Sequence, residues 1–251
     1  MKILVTGGAG YIGSHIVLSL CDSGYEVIVL DDLSTGSQDA IDNRAQFILG
    51  STLSKEDTNK ALNGVDGVIH LAAFKAAGES MLFPSKYSQN NIGGTINLIN
   101  SMIDHDIKIF IFSSTAAVYG YPEYLPIDEK HPLNPINFYG FTKLEIERIL
   151  HWYNNLTGLK YAALRYFNAA GYDKKGRINH LEKNPPKIME KFDGKFGELV
   201  DSPILKSPKK GWCQHLADKP VLIGSIGVAP SLQASGVAPS LGRQGHHSMV
   251  V

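Results

Sequence analysis

Thr6-Gly7-Gly8-Ala9-Gly10-Tyr11-Ile12-Gly13 sets glycines at intervals of three (Gly7, Gly10, Gly13) directly after an apolar run and directly before a stretch with helical spacing. Gly7 permits a tight turn, Gly10 lets a backbone approach a pyrophosphate, and Gly13 allows helix and strand to pack closely. A helix that opens there turns its unpaired N–H groups and its positive dipole end toward phosphate. Asp31 ends the next apolar run, 18 residues after Gly13. An acid at that place accepts bonds from the hydroxyls of an adenosine ribose and repels a 2′-phosphate, so the expected cofactor is NAD rather than NADP.

Outward from this turn, branched apolar runs recur at Lys2–Thr6, Glu26–Leu30, Gln46–Leu49, Val68–Leu71, Lys108–Phe112 and Tyr161–Phe167. They are short and nearly continuous, the pattern of strands covered on both faces. Helical spacing lies between them: Ile12, Ile16 and Leu20 in Tyr11–Ser23, Ile92, Ile96, Ile99 and Ile103 in Tyr87–Asp104, and Leu144, Ile146, Ile149 and Leu150 in Phe138–Asn155. The alternation predicts an α/β fold, a Rossmann-type doubly wound parallel sheet with helices on both faces. Pro122, Pro126, Pro132 and Pro135 mark a loop after the fifth strand, where a substrate-facing segment would sit.

Composition changes near residue 173. Residues 1–173 carry 12 Lys+Arg against 18 Asp+Glu, whereas residues 174–251 carry 12 against 6 and are rich in Lys, Pro, Gly and Ser. Gly-Val-Ala-Pro-Ser-Leu occurs at Gly227–Leu232 and again at Gly236–Leu241, too short and too few for a solenoid. The expected organisation is an NAD-binding domain over 1–173, a segment of changed composition over 174–202 and an irregular or low-complexity tail over 203–251.

Over the whole chain 24 basic and 24 acidic side chains cancel, so no nucleic-acid partner and no anionic membrane partner is expected. No apolar run reaches the roughly 18 residues of a bilayer span, and Met1–Thr6 lacks a basic leader; the expected location is the cytoplasm. Cys21 and Cys213 are the only cysteines, and Cys213-Gln214-His215 and His246-His247 lack the paired spacing of a zinc site, so no metal is expected.

Tyr139 and Lys143 stand four apart at the start of a predicted helix, on one face. A tyrosine of ordinary pKa, about 10, is a poor base at neutral pH. A neighbouring ammonium and a positive nicotinamide ring stabilise its phenolate, and Lys143 can also bond the nicotinamide ribose. The fifth strand ends Phe112-Ser113-Ser114-Thr115, at the carboxyl edge where open α/β sheets bind ligands. A hydroxyl at Ser114 or Thr115 could relay a proton between a sugar and Tyr139.

Together these residues resemble the extended short-chain dehydrogenase/reductase superfamily. Within it, Leu71-Ala72-Ala73-Phe74-Lys75-Ala76-Ala77-Gly78-Glu79-Ser80, Asn90-Asn91, Ser113–Gly120 and Arg165-Tyr166-Phe167-Asn168-Ala169-Ala170-Gly171 are similar to the UDP-glucose 4-epimerases. The resemblance runs from Met1 to about Lys191, and it implies that 1–173 is the NAD-binding domain carrying the catalytic pair and that 174–202 is a remnant of a substrate domain. It implies that Gly7, Gly10, Tyr11, Ile12, Gly13, Asp31 and Asp32 hold the pyrophosphate and adenosine, and that Phe74, Lys75, Asn91 and Ser114 bind the nicotinamide half, with Tyr166 beside it. It implies that Thr115, Tyr139 and Lys143 are catalytic, that Lys75, Thr115 and Tyr139 also meet substrate, and that Asn168 contacts a UDP-sugar. The implied reaction inverts C4 of a UDP-hexose through a 4-keto sugar, NAD being retained; the implied assembly is a homodimer through the helices at 87–104 and 138–155. Ala116 and Ala117 occupy the places where a dehydratase would want acids. Gly50-Ser51-Thr52 departs from the usual Gly-Asp-aliphatic run and loses a carboxylate toward the adenine amino group; Asp32 replaces a usual Asn. Beyond Arg177 the only arginine is Arg243, few partners for a diphosphate. A second reading is therefore a truncated, non-catalytic NAD-binding product that does not turn over a sugar nucleotide, and a third is another sugar-nucleotide-modifying relative.

Overall fold

The structure is a computed structural model that describes residues 1–169, 173, 175–178, 222–223 and 227–228, the last two pairs by their backbone. Nine strands and six α-helices are described: β1 (Lys2–Thr6), α1 (Tyr11–Asp22), β2 (Glu26–Asp31), β3 (Gln46–Leu49), α2 (Lys55–Ala61), β4 (Gly67–His70), α3 (Ala77–Leu82), α4 (Pro84–Tyr87), α5 (Gly94–Asp104), β5 (Ile109–Thr115), α6 (Phe138–Thr157), β6 (Lys160–Tyr166), β7 (Asn168–Ala169), β8 (Leu222–Ile223) and β9 (Gly227–Val228). The main sheet runs β3-β2-β1-β4-β5-β6-β9. Its first six strands are parallel. The order reverses direction beside β1, between β1 and β4, and that crevice is where open α/β sheets take their ligands.

Alternation along the strands divides the core. Ile3, Val5, Val27 and Val29 face Val17 of α1. Leu4, Ile28, Leu30, Phe110 and Phe112 face the other way, onto Ala61 of α2, Leu98, Ile99 and Met102 of α5, and Ile146 and Leu150 of α6. A sheet buried on both faces explains why its strands read as unbroken apolar runs rather than as alternating ones.

The strands lie where the apolar runs predict them, two with the same ends and four with ends moved by one to three residues. β5 extends to Thr115, because its polar last residues are held by α6, Ser113 through its carbonyl and Ser114 through its hydroxyl, and need no apolar neighbour. The predicted helix over 87–104 is three pieces: α4, a π-helical turn at Ser88–Gly93 and α5. Two helices have no counterpart in the sequence reading, α2 and α3. Of the tail at 203–251, only 222–223 and 227–228 are described; β8 pairs antiparallel with β7, and β9 antiparallel with β6. The other expectations for 174–251, including the domain division and the Cys213 and His246 clusters, lie outside the described residues. Arg177 does not face the carboxyl edge. Its guanidinium pairs with Asp173 at 2.9 Å and with Asp22, the last residue of α1, at 3.0 Å.

Candidate functional site

The glycine turn is set by close approach. Gly7 has φ +73°, and a Cβ on it would stand 2.6 Å from the amide nitrogen of Ala72. A Cβ on Gly13 would stand 2.1 Å from the carbonyl oxygen of Gly7. α1 starts from Gly10 in extended conformation, with no side chain capping it and no acid in its first turn. Tyr11 and Ile12 in that turn are half-buried. The N-terminal end of α1 thus presents backbone, with its partial positive charge, beside the crevice.

Asp31 is buried and fixes the turn from the next strand. Its Oδ2 accepts from the Ala9 N–H at 2.9 Å and its Oδ1 from the Leu33 N–H at 2.9 Å. Asp32 is exposed, and its Oδ1 accepts from the Ser34 N–H at 2.9 Å. At the end of β3 the Ser51 N–H donates to Asp57 at 3.0 Å, while Ser51 Oγ accepts from the Leu53 N–H at 3.2 Å. That hydroxyl therefore serves the local turn.

Asn91 clamps the loop after β4. Its Oδ1 accepts from the Phe74 N–H at 2.9 Å, and its Nδ2 donates to the Phe74 carbonyl at 3.0 Å and to Thr142 Oγ1 at 3.3 Å. The π-helical turn, a device common at functional sites, carries this side chain. The Phe74 ring lies under Lys86 Nζ at 4.2 Å, and Lys75 is exposed. Asn91 thus acts on the loop backbone and on α6.

Tyr139 and Lys143 are delivered by the first turns of α6. Asn137 caps the helix, its Oδ1 accepting from the Gly140 N–H at 2.8 Å. The Tyr139 N–H is taken by Ser80 Oγ at 2.9 Å, and that hydroxyl donates to the Ala77 carbonyl at 2.6 Å. Gly140 lets the helix lie against the strand end: a Cβ there would meet the Ala117 carbonyl oxygen at 2.6 Å. Burial pushes the Tyr139 phenol up to about 12, and its hydrogen bond with Thr115 pulls the other way. Burial pushes the Lys143 ammonium down to about 7, and Glu147 pulls it back up. Lys143 Nζ donates to the Ser113 carbonyl at 2.9 Å, 4.7 Å from the Phe112 ring centre and 6.0 Å from that of Tyr139. Tyr166 ends β6 level with Thr115, its phenol pushed up to about 12 by burial. Asn168 follows, exposed, on β7.

One expected contact is not made. Ser114 is 2% exposed and turned to the opposite face of β5 from Thr115. Its hydroxyl donates to Glu147 Oε1 at 2.5 Å. Period-two alternation along a strand allows only one of two adjacent hydroxyls to face the crevice, and here it is Thr115. The Ser114 hydroxyl is thus committed to Glu147, on the face of β5 away from Thr115.

Four contributors escaped the sequence reading. Ser80, Asn137 and Glu147 are described above. The fourth is His70, 1% exposed at the end of β4. Thr95 donates to the Asn91 carbonyl, so its oxygen accepts from His70 Nε2 at 2.8 Å, and His70 Nδ1 accepts from the Thr6 hydroxyl at 2.6 Å. Burial, with Lys143 nearby, pushes this imidazole down to about 3. It is a neutral brace joining β1, β4 and the Asn91 turn. Asn137 was findable as a cap residue before a periodic run; the other three pair across distant elements.

Among the described residues no group of three or more His, Cys, Asp or Glu could hold a metal ion, and no helix is long and apolar enough to cross a membrane. The sequence profile of the NAD dependent epimerase/dehydratase family matches residues 3–199. A UDP-glucose 4-epimerase of Lactobacillus helveticus is 46% identical over 205 residues, 78% of this chain and 62% of the relative. One from Bacillus subtilis is 46% identical over 217 residues, 79% of this chain and 63% of the relative. The crystal structure of UDP-glucose 4-epimerase from Brucella ovis in complex with NAD superposes with TM-score 0.73 at 41% identity, covering 76% of this chain and 59% of that one. The chain thus spans about three fifths of the length of these relatives. With the strand order, the glycine turn and the paired Tyr139 and Lys143 all in place, the chain belongs to the NAD dependent epimerase/dehydratase family.

Proposed function

We propose that the chain binds NAD and that its catalytic function is the epimerisation of a UDP-hexose at C4, interconverting UDP-glucose and UDP-galactose. The observation that carries this reading is the pair Tyr139 and buried Lys143 one turn apart on α6, with Lys143 Nζ donating to the Ser113 carbonyl at 2.9 Å at the carboxyl end of β5. The residues present fit the cofactor: Gly7 and Gly13 stand where a Cβ would meet backbone, the first turn of α1 is uncapped by side chains, and Asp31 closes the adenosine end. Gly7, Gly10, Tyr11, Ile12, Gly13, Asp31 and Asp32 would hold the pyrophosphate and adenosine; Phe74, Lys75, Asn91, Tyr139, Lys143 and Tyr166 would border the nicotinamide half. NAD, when bound, supplies a hydride acceptor, and in its reduced form a donor, to the sugar carbon.

The side chains supply the rest. Tyr139 takes the proton of the sugar 4-hydroxyl, with Thr115 holding the same oxygen, and returns it once the 4-keto sugar has turned over. Lys143 stabilises the phenolate. Lys75 and Asn168 would position the UDP-sugar. Ala116 and Ala117 leave no acid beside Thr115, which disfavours dehydration. Exposed Phe141, Trp152 and Leu156 on α6 support a second copy of the chain as a partner, and the balanced charge favours a cytoplasmic protein without nucleic-acid or membrane partners.

The test is to incubate the purified 251-residue protein with NAD and UDP-galactose and to resolve the UDP-sugars chromatographically. Formation of UDP-glucose supports the reading. NAD binding without conversion supports the binding-only alternative, and absence of NAD binding defeats both. Cofactor choice gives a second check. Asp31 should favour NAD over NADP by about 1–3 kcal/mol, the scale of one hydrogen bond to a charged group, and calorimetric titration of both cofactors measures it. Ser51 carries a third: Ser51→Asp restores an acceptor toward the adenine amino group and should tighten NAD by about two- to tenfold, the worth of one net hydrogen bond.

A further inference from the structure

Two consecutive residues at the end of β5 bond to α6. The Ser113 carbonyl takes Lys143 and the Ser114 hydroxyl goes to Glu147, while Thr115, next along the strand, stands beside Tyr139. The helix partners 139, 143 and 147 lie one turn apart on a single face. Glu147 is only 6% exposed and fully engaged. Its Oε1 accepts from Ser114 and from Arg165 Nε at 3.0 Å, its Oε2 from Arg165 at 2.6 Å, and Arg165 also donates to the Tyr119 hydroxyl at 3.2 Å. A buried ion pair of this kind is weak evidence for stability, because an apolar pair of the same volume often serves as well. Its place beside the catalytic lysine asks for another role.

We propose that Glu147 is a positioning residue of the catalytic site, the buried counter-charge that keeps Lys143 an ammonium and the tie that sets the end of β5 opposite Tyr139. This rests on the reading of Tyr139 and Lys143 as the catalytic pair. The groups facing Lys143 leave Glu147 that task. From β4 comes His70, a neutral imidazole with both nitrogens bonded. From β5 come only the Phe112 ring and the Ser113 carbonyl. From α6 come the Tyr139 ring and Glu147. Arg165 of β6 stands behind the carboxylate, paired with it. Among the described residues Glu147 is thus the carboxylate that acts on Lys143, and it pulls that ammonium up against the effect of burial.

The experiment reads Lys143 directly. The full chain is labelled with nitrogen-15 at its lysine side chains, and the Lys143 Nζ resonance is assigned by its loss in Lys143→Met. Its titration is followed as purified and after addition of NAD, alongside pH profiles of UDP-galactose conversion. In Glu147→Gln the Lys143 titration should move toward acid by about one pH unit or more, the usual effect of losing a close opposite charge. The alkaline limb of the activity profile should move with it. Ser114→Ala, which loosens the strand end but leaves the charge, should lower turnover with the titration unmoved. An unchanged titration in Glu147→Gln, or an equal shift in Ser114→Ala, overturns the proposal. Should Glu147→Gln fail to fold, Glu147→Gln with Arg165→Met removes the stranded guanidinium as well; the acid shift must persist there, and its absence overturns the proposal. A protein that shows the shift yet never converts UDP-galactose refutes the epimerase reading alone.

Discussion

Tyr139→Phe is expected to lose turnover by about a hundredfold or more, the usual scale of general acid–base help, while binding NAD as the parent does. The substitution removes one oxygen and little else. The backbone N–H of residue 139 keeps its bond to Ser80, and the cap at Asn137 and the close contact at Gly140 are untouched. What disappears is the buried phenol beside Thr115. In the protein as it stands burial holds the phenol near 12 and the lysine near 7, a pair in which neither charge is welcome without the other. Ionising Tyr139 therefore depends on an ammonium beside it, since an opposite charge at close range lowers an acid by about 1–3 pH units. Lys143→Ala should accordingly weaken turnover and NAD binding together, whereas Tyr139→Phe separates them. Turnover with UDP-galactose and calorimetric titration with NAD check both; a Tyr139→Phe protein working at the parent rate would place the proton transfer elsewhere.

Why the turn, the strands and the catalytic pair could be read from the residues, and the supports of that pair could not, follows from range. Gly7, Gly10 and Gly13 act within eight residues of one another, and the buried strands announce themselves by unbroken apolar runs such as Val27–Leu30. Tyr139 and Lys143 are neighbours on one helix. α2 and α3 are different: Lys-Glu-Asp-Thr-Asn-Lys-Ala buries only Thr58 and Ala61, and Ala77–Leu82 buries only Ser80. Neither offers a period to detect, although Ser54 three residues before Asp57 is a capping signature. Ser80 meets Tyr139 across 59 residues and His70 meets Thr6 across 64; such contacts exist only once the sheet has assembled. Ser114 shows the limit from the other side. Its position beside Thr115 makes it a candidate, and the pleat of a strand, which sends adjacent side chains to opposite faces, turns its hydroxyl to Glu147 instead.

Gly13→Ala should destabilise the fold by about 1–3 kcal/mol, the usual cost of an added group in a packed site, and weaken NAD binding by at least about tenfold, or 1.4 kcal/mol. Fingerprints of this kind end in Ala as well as Gly, and Ala favours a helix over Gly by about 1 kcal/mol, so propensity alone predicts the opposite sign. The geometry of this turn argues for the steric result. The new methyl would stand 2.1 Å from the Gly7 carbonyl oxygen and 2.7 Å from the Gly8 Cα. Both obstacles are main chain, so no side-chain rotation relieves them, and α1 must withdraw from β1. The movement displaces the helix N-terminus that is to meet the pyrophosphate, and it strains the Ala9 amide that Asp31 holds at 2.9 Å. Gly78→Ala is the matched control: it lies in α3 with no atom within 4 Å of its added Cβ, so it should be neutral or stabilising by up to about 1 kcal/mol. Urea unfolding and NAD calorimetry on the two variants measure the difference. A Gly13→Ala protein as stable as Gly78→Ala, with NAD affinity intact, would show that the turn can open without cost and that close packing at residue 13 is not what shapes the cofactor end.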